Sequence, residues 1–323
     1  MVKARDRYAL AMSESPRIFS RVLDGNVCVY DPSGDAQGVL DPVVVFPVRP
    51  GDEVLGHTGS ADLSRAVYTT TDAVACVTDG GTELWRYDLE PRSTTKHGHS
   101  PSCRFSADGA LVWVYRPDAM AGRGGVDKWV VLDAEKGTVV AQTDLGTVGH
   151  GAIHFRHPDG VHMLLDVGEG QDGSNLFRGA LDGGDLNLFT YPWGDRALID
   201  LAADGEQFMT IDDDQSDVAF HTYPDGEEFL RLPLEAFGYE TEEWSEAYVE
   251  WSSGYLDSET AIVTIGGEDE DGQEWWHHYR VGIRTGEVGP RLDQRTSCVI
   301  EPAGDGSWLT TDADGRPVRR LNG

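Results

Sequence analysis

Residues 98–113 read GHSPSCRFSADGALVW, and this stretch decides the fold. A Gly-His pair leads into alternating apolar and polar residues, Asp108-Gly109 follows, and a second apolar segment completes the unit. Alternation with period two marks a half-buried strand, and Asp-Gly between two such segments marks a hairpin. A shifted copy, GHGAIHFRHPDGVHMLL, begins at Gly149, and a looser one, GHTGSADLSRAVYTT, begins at Gly56. Further along in both directions, first-turn aspartates align at Asp62, Asp108, Asp159, Asp204, Asp257 and Asp305, with separations of 46, 51, 45, 53 and 48 residues. That period is the length of a four-stranded propeller blade with variable loops.

Seven such units fill the chain, at about 8–48, 54–97, 98–148, 149–194, 197–238, 246–292 and 296–323. With 39 glycines, 15 prolines and short apolar runs, the composition suits many strands joined by tight turns. The expectation is one all-β domain over 1–323, a seven-bladed β-propeller of four-stranded antiparallel blades. Each blade alone leaves apolar faces that only its neighbours can cover. In the first unit, Val43–Phe46 is expected as the fourth strand. The last unit stops after its third, so either Val2–Asp6 supplies the fourth or that blade has three.

The pattern GH…FSADG…TDGGTELWRYD resembles the WD-repeat β-propellers, and VLDAEKGTVV is similar to the related YVTN and quinoprotein-type blades. The resemblance spans nearly the whole chain and is specific in units two to four. The Trp-Asp dipeptide is absent, with Tyr30-Asp31, Tyr87-Asp88, Leu132-Asp133 and Leu181-Asp182 in its place. In that family the Gly-His imidazole hydrogen-bonds through a buried Ser or Thr and an Asp to an aromatic residue. The resemblance therefore implies structural roles for His57, His99 and His150, with Asp79 and Trp85 as partners in unit two.

Acidic residues outnumber basic ones 56 to 26, a net charge of −30. Residues 162–323 hold 35 of the acidic and 10 of the basic side chains, so the acidity is concentrated in the second half. Such a chain repels phosphate, which argues against nucleic acid and anionic membrane as partners and for a basic protein or a cation. Solubility alone also accounts for the acidity. Cys28, Cys76, Cys103 and Cys298 lie far apart in apolar runs, without metal-ligand spacing, and read as small buried hydrophobes. The first 16 residues lack a signal-peptide core, and no run reaches the ~18 apolar residues that would span a bilayer, so a soluble cytoplasmic protein is expected.

Motifs of fixed chemistry are few. His150, His154 and His157 are close in sequence, but strand alternation turns His154 and His157 to opposite faces, as it does His277 and His278. The run from Gly168 to Gly173 matches a dinucleotide fingerprint by letters, yet NLFRGAL after it reads as strand where the fingerprint needs a helix. No nucleophile motif of the G-x-S-x-G or H-E-x-x-H kind is present, and no catalytic residue is assigned. No cofactor is expected. The carboxylate loops at 212–217 and 266–274 offer hard oxygen ligands for calcium without completing a calcium-loop pattern. Solvated turns are the plainer account.

One collective feature remains. In a propeller, the loop between the second and third strands of a blade shares a rim with the segment entering the next blade. Units four to six would put Glu169, Asp172, Asp212, Asp213, Asp214, Asp217, Glu268, Asp269, Glu270 and Asp271 there, beside Tyr191, Trp193, Tyr239 and Trp244. Carboxylates next to aromatic rings suit a Lys- or Arg-bearing peptide. The expected function is a non-catalytic interaction platform for a basic protein or peptide, with Trp193 and Trp244 as anchors. The alternative is a propeller enzyme (lyase or hydrolase) or a small-molecule or metal binder at the mouth of the central channel.

Overall fold

Alternating residues become strands because each blade has a neighbour on both faces. In blade 3 (Ser102–Phe105, Leu111–Arg116, Lys128–Asp133, Val139–Asp144), Val112 and Val114 pack toward blade 2, while Trp113 and Tyr115 pack toward blade 4. The computed structural model describes residues 18–32, 37–95, 98–239, 247–269, 271–292 and 300–321. They form seven antiparallel sheets, five of them meanders of four consecutive strands. The chain is a seven-bladed β-propeller. Six apolar clusters each straddle one junction between consecutive blades. Among the described residues no helix is long and apolar enough to cross a membrane.

The repeat that sets the period has one physical cause. In all six aligned turns the aspartate Oδ1 accepts the backbone N–H two residues on, from Ser64, Ala110, Val161, Glu206, Glu259 and Ser307 in turn. The side chain thereby closes the hairpin between the first and second strands of its blade. Asparagine or aspartate is needed at that position, and glycine follows where the backbone turns left-handed, as at Gly109 (φ 68°).

Ring closure differs from both sequence expectations. The fourth strand of blade 7 is Gly38–Val39, which pairs with Pro317–Leu321. Leu40 N–H extends the pairing by donating to Pro317 O at 2.9 Å. Val2–Asp6 lie outside the described residues. Residues 38–39 leave blade 1 to complete blade 7, so Val44–Pro47 pairs directly with Asn26–Tyr30 as the third strand of blade 1 rather than the fourth. Blade 1 is three-stranded among the described residues. Arg21 of blade 1 and Glu301 of blade 7 add an ion pair across the same junction.

Buried polar groups tie the blades together. Asp127 is fully buried and accepts from Tyr115 Oη at 2.8 Å, Thr147 Oγ1 at 3.1 Å and Gly149 N–H at 2.6 Å, which fixes the passage into blade 4. In the glycine-rich loop of blade 3, buried Arg123 donates to Leu89 O, Pro91 O and Thr71 O of blade 2. Asp166 of blade 4 accepts Leu198 N–H of blade 5 on Oδ2, while its Oδ1 has no partner among the described residues. Burial, opposed by that hydrogen bond and helped by nearby Asp213, pushes its carboxyl up to about 8. The thiols of Cys28, Cys76 and Cys103 are buried, and burial raises all three. Cys298 lies outside the described residues.

Two outcomes follow from this architecture. Leu40→Pro removes the N–H that binds Pro317 O and should lower unfolding free energy in urea by about 1–3 kcal/mol, with Leu40→Ala costing less. For Asp166 the folded chain keeps a proton that the unfolded chain has released between pH ~4 and ~8, so its contribution to stability falls as pH rises through that window and is level above it. Asp166→Asn should therefore gain on the wild type by about 1.4 kcal/mol per pH unit between pH 5 and 7. A difference between the two proteins that stays constant across that range would contradict this account.

Candidate functional site

The acidic loops emerge where the sequence pattern placed them, between the second and third strands of blades 4, 5 and 6. The loop of blade 4 carries a short 3-10 turn at Gly170–Asp172, and strand Ser174–Asp182 follows it where a dinucleotide site would need a helix. These loops also meet the segments that enter the next blade. Asp213 N–H donates to Asp195 O at 2.9 Å, and Gln215 exchanges hydrogen bonds with Val249 at the start of blade 6. The blade 4 loop lies against the same entry, since a Cβ on Gly173 would meet Gly194 O and the Asp213 carboxylate.

The carboxylates divide into two groups. Glu169 spends both oxygens, on Val148 N–H at 2.5 Å and Asn175 Nδ2 at 2.7 Å. Asp212 accepts from the N–H groups of Ser216 and Asp217 and from Ser216 Oγ, and Asp269 accepts from the N–H groups of Asp271 and Gln273. Asp217 is buried between Arg196 at 2.6 Å and Arg231 at 2.8 Å. These four hold their own loops. The side chains of Asp172, Asp213, Asp214, Glu268 and Asp271 are exposed, and among the described residues none makes a hydrogen bond or ion pair. Asp213 titrates above the usual carboxylate range because of partial burial, then the charges of Asp195, Asp212 and Asp214. Glu270 lies outside the described residues.

Aromatic residues fall differently from the sequence expectation. Trp193 is half-buried, stacked on Tyr191 at 5.2 Å and packed against Phe208 and His221. Gly226 of the next blade (φ 74°) closes over it so tightly that a Cβ there would lie 2.7 Å from the indole. The same device recurs where Gly137 of blade 3 covers Trp85 of blade 2. Trp193 thus serves the blade 4–blade 5 junction. Tyr239 is buried, stacked on Trp275 and bonded to the Tyr279 hydroxyl at 2.8 Å. Trp244 lies outside the described residues. Trp251, which the sequence pattern did not single out, is exposed in an inner-strand bulge two residues beyond Val249, the residue that bonds Gln215 of the blade 5 loop.

The imidazoles named by the sequence sit in hydrogen-bond networks of their own. His57 Nδ1 bonds Ser20 Oγ of blade 1 at 2.8 Å, and burial, with Arg21 and Arg104 nearby, pushes it down to about 4. His99 bonds Ser93 Oγ at 2.8 Å and Thr95 O at 3.2 Å. Exposed His150 bonds Gly98 O at 3.0 Å. Asp79 is exposed in its turn, and Trp85 donates its indole N–H to Ala134 O of blade 3. A Ser–His–Trp relay exists at a histidine outside the Gly-His pairs. His154 bonds Ser102 Oγ at 3.1 Å and accepts from Trp129 Nε1 at 3.1 Å. Burial pushes His154 down to about 3, so it accepts as a neutral ring.

The central channel carries a second arrangement. The inner strands of blades 1 to 4 bring Ser20, Thr58, Gly59, Arg104 and Arg156 around one cleft. Arg104 makes no hydrogen bond or ion pair among the described residues, and burial followed by the charge of Arg156 pushes it down to about 10. The sequence signal was an arginine inside the alternating segment Ser102–Phe105, where one face must reach the channel.

No family model matches the chain, and no curated protein matches it. Solved structures do share its fold. Hydrazine synthase of Kuenenia stuttgartiensis aligns with a TM-score of 0.54 at 12% identity, over 87% of this chain and 76% of that one. BamB from Moraxella catarrhalis aligns with a TM-score of 0.53 at 13% identity, over 94% and 81%. The Dos1 propeller aligns with a TM-score of 0.54 at 10% identity, over 93% and 80%. At such identities the likeness establishes the β-propeller and leaves function to the site.

Proposed function

We infer that the protein is an interaction platform that binds a basic protein or peptide on the rim formed by the loops of blades 4 to 6. The observation that carries this reading is the set of five exposed carboxylates, Asp172, Asp213, Asp214, Glu268 and Asp271, without hydrogen bonds among the described residues. Like charges crowd at Asp213, and a Lys or Arg side chain placed there would relieve the repulsion. Exposed Trp251 supplies a ring for cation–π contact and apolar burial. In fluorescence anisotropy, short Lys/Arg-rich peptides should bind more tightly than acidic ones and lose affinity as salt rises. Replacing the five carboxylates by their amides should weaken binding roughly tenfold or more, at about 1–3 kcal/mol for paired charges. Salt-independent binding, or undiminished binding by the neutralised variant, would refute the reading.

A second reading rests on Arg104. A half-buried guanidinium near another, beside the hydroxyls of Ser20 and Thr58, suits a small anionic ligand at the channel. Under this reading, inorganic phosphate or pyrophosphate raises the melting temperature of the wild type saturably, and Arg104→Gln loses most of that response. Equal responses from both proteins would count against it.

A further inference from the structure

We propose that His157, Asp159 and His162 form a binding site for a first-row divalent transition metal, of the kind zinc represents, in the first turn of blade 4. The ligand atoms of the three side chains lie within 4.8 Å of one another. Asp159 Oδ2 is 3.0 Å from His157 Nδ1 and 2.6 Å from His162 Nδ1. Two imidazole nitrogens and a carboxylate oxygen form a donor set suited to zinc, nickel, cobalt or copper, leaving a further coordination position for water.

The surrounding hydrogen bonds orient these atoms. His157 Nε2 is 2.8 Å from Gly205 O of blade 5, and a carbonyl only accepts, so Nε2 carries the proton. The Nδ1 lone pair of a neutral ring is then directed at Asp159, whose N–H lies 3.2 Å away. Asp159 Oδ2 lies 3.0 Å from the same nitrogen, so a cation bound to both atoms would take the place of that N–H as the partner of the ring. Asp159 Oδ1 is occupied by the N–H groups of Val161 and His162, which leaves Oδ2 for the metal. Tyr223 of blade 5 stacks on the His157 ring at 3.8 Å and 20°, fixing its plane. An imidazole whose remote N–H is anchored on a backbone carbonyl is the usual outer-shell arrangement of a metal-bound histidine.

The repeat provides an internal control. The same aspartate turn occurs five more times, and the residues two before and three after the aspartate are Ser60 and Arg65, Ser106 and Leu111, Ala202 and Gln207, Tyr255 and Thr260, and Ala303 and Trp308. None of those turns has an imidazole at either position, and all keep the aspartate-to-N–H bond. The turn therefore needs neither histidine. The site lies at the end of the blades opposite the acidic loops, and it neither uses nor requires the platform reading.

Isothermal titration of the untagged full chain with zinc chloride should give one saturable equivalent. Cobalt(II) loaded in place of zinc should show the visible absorption of a nitrogen-ligated ion, and excess calcium should not displace it. His162→Ala, at a partly exposed position, should weaken zinc binding by roughly 10–100-fold or more while leaving the fold intact by circular dichroism. Asp159→Asn is the second variant, with the same expected loss. Absence of a saturable equivalent, or unchanged affinity in folded His162→Ala, would overturn the proposal.

Discussion

No blade of this protein can cover its own apolar faces, and the rest of the structure follows from that constraint. The strand residues alternate between two neighbours, so the core is divided among the junctions between blades instead of gathering at one centre. Such an array is stable only when its ends meet. Among the described residues six junctions hold apolar clusters, and the seventh is joined by a two-residue strand, a backbone hydrogen bond from Leu40 and the Arg21–Glu301 pair. That seventh junction is the one that turns an open stack into a ring.

The blade repeat was legible because it has a local chemical basis. An aspartate that closes its own hairpin leaves a mark at every turn, and six such marks gave the period without any reference to tertiary structure. The closure was not legible, since Gly38–Val39 is too short to show alternation and pairs with residues near the other end of the sequence. The acidic loops could be read from composition, but their division could not. Asp212 and Asp214 are chemically identical in the sequence, and only the fold reveals that one caps its loop while the other faces solvent. Trp193 was similarly ambiguous. An indole beside charged loops resembles an anchor until Gly226 of the following blade is seen to lie across it.

The carboxylates illustrate how one side chain serves opposite ends in one molecule. As a turn former, aspartate accepts backbone N–H groups at the surface. As a buried bridge, at Asp127 and Asp217, it gathers several donors in low dielectric, where such bonds are strong and their loss costly. Asp166 has one backbone donor, and its burial favours the protonated form. The remaining acids contribute field at the surface. The arginines are placed with equal discrimination: Arg123 and Arg196 tie loops and strands internally, and Arg104 sets a positive charge in the channel of a strongly negative protein.

The clasp at Gly38–Val39 bears on how the molecule is made. Its partner strand, Pro317–Leu321, is separated from it by nearly the whole length of the chain, so a ribosome releases the first half of the closure long before the second. During that interval the growing stack has an unpaired edge and an uncovered blade face, the features most prone to joining another chain. Charge from the acidic second half accumulates over the same interval. Mutual repulsion between nascent molecules would then protect the open ring until its own last strand arrives.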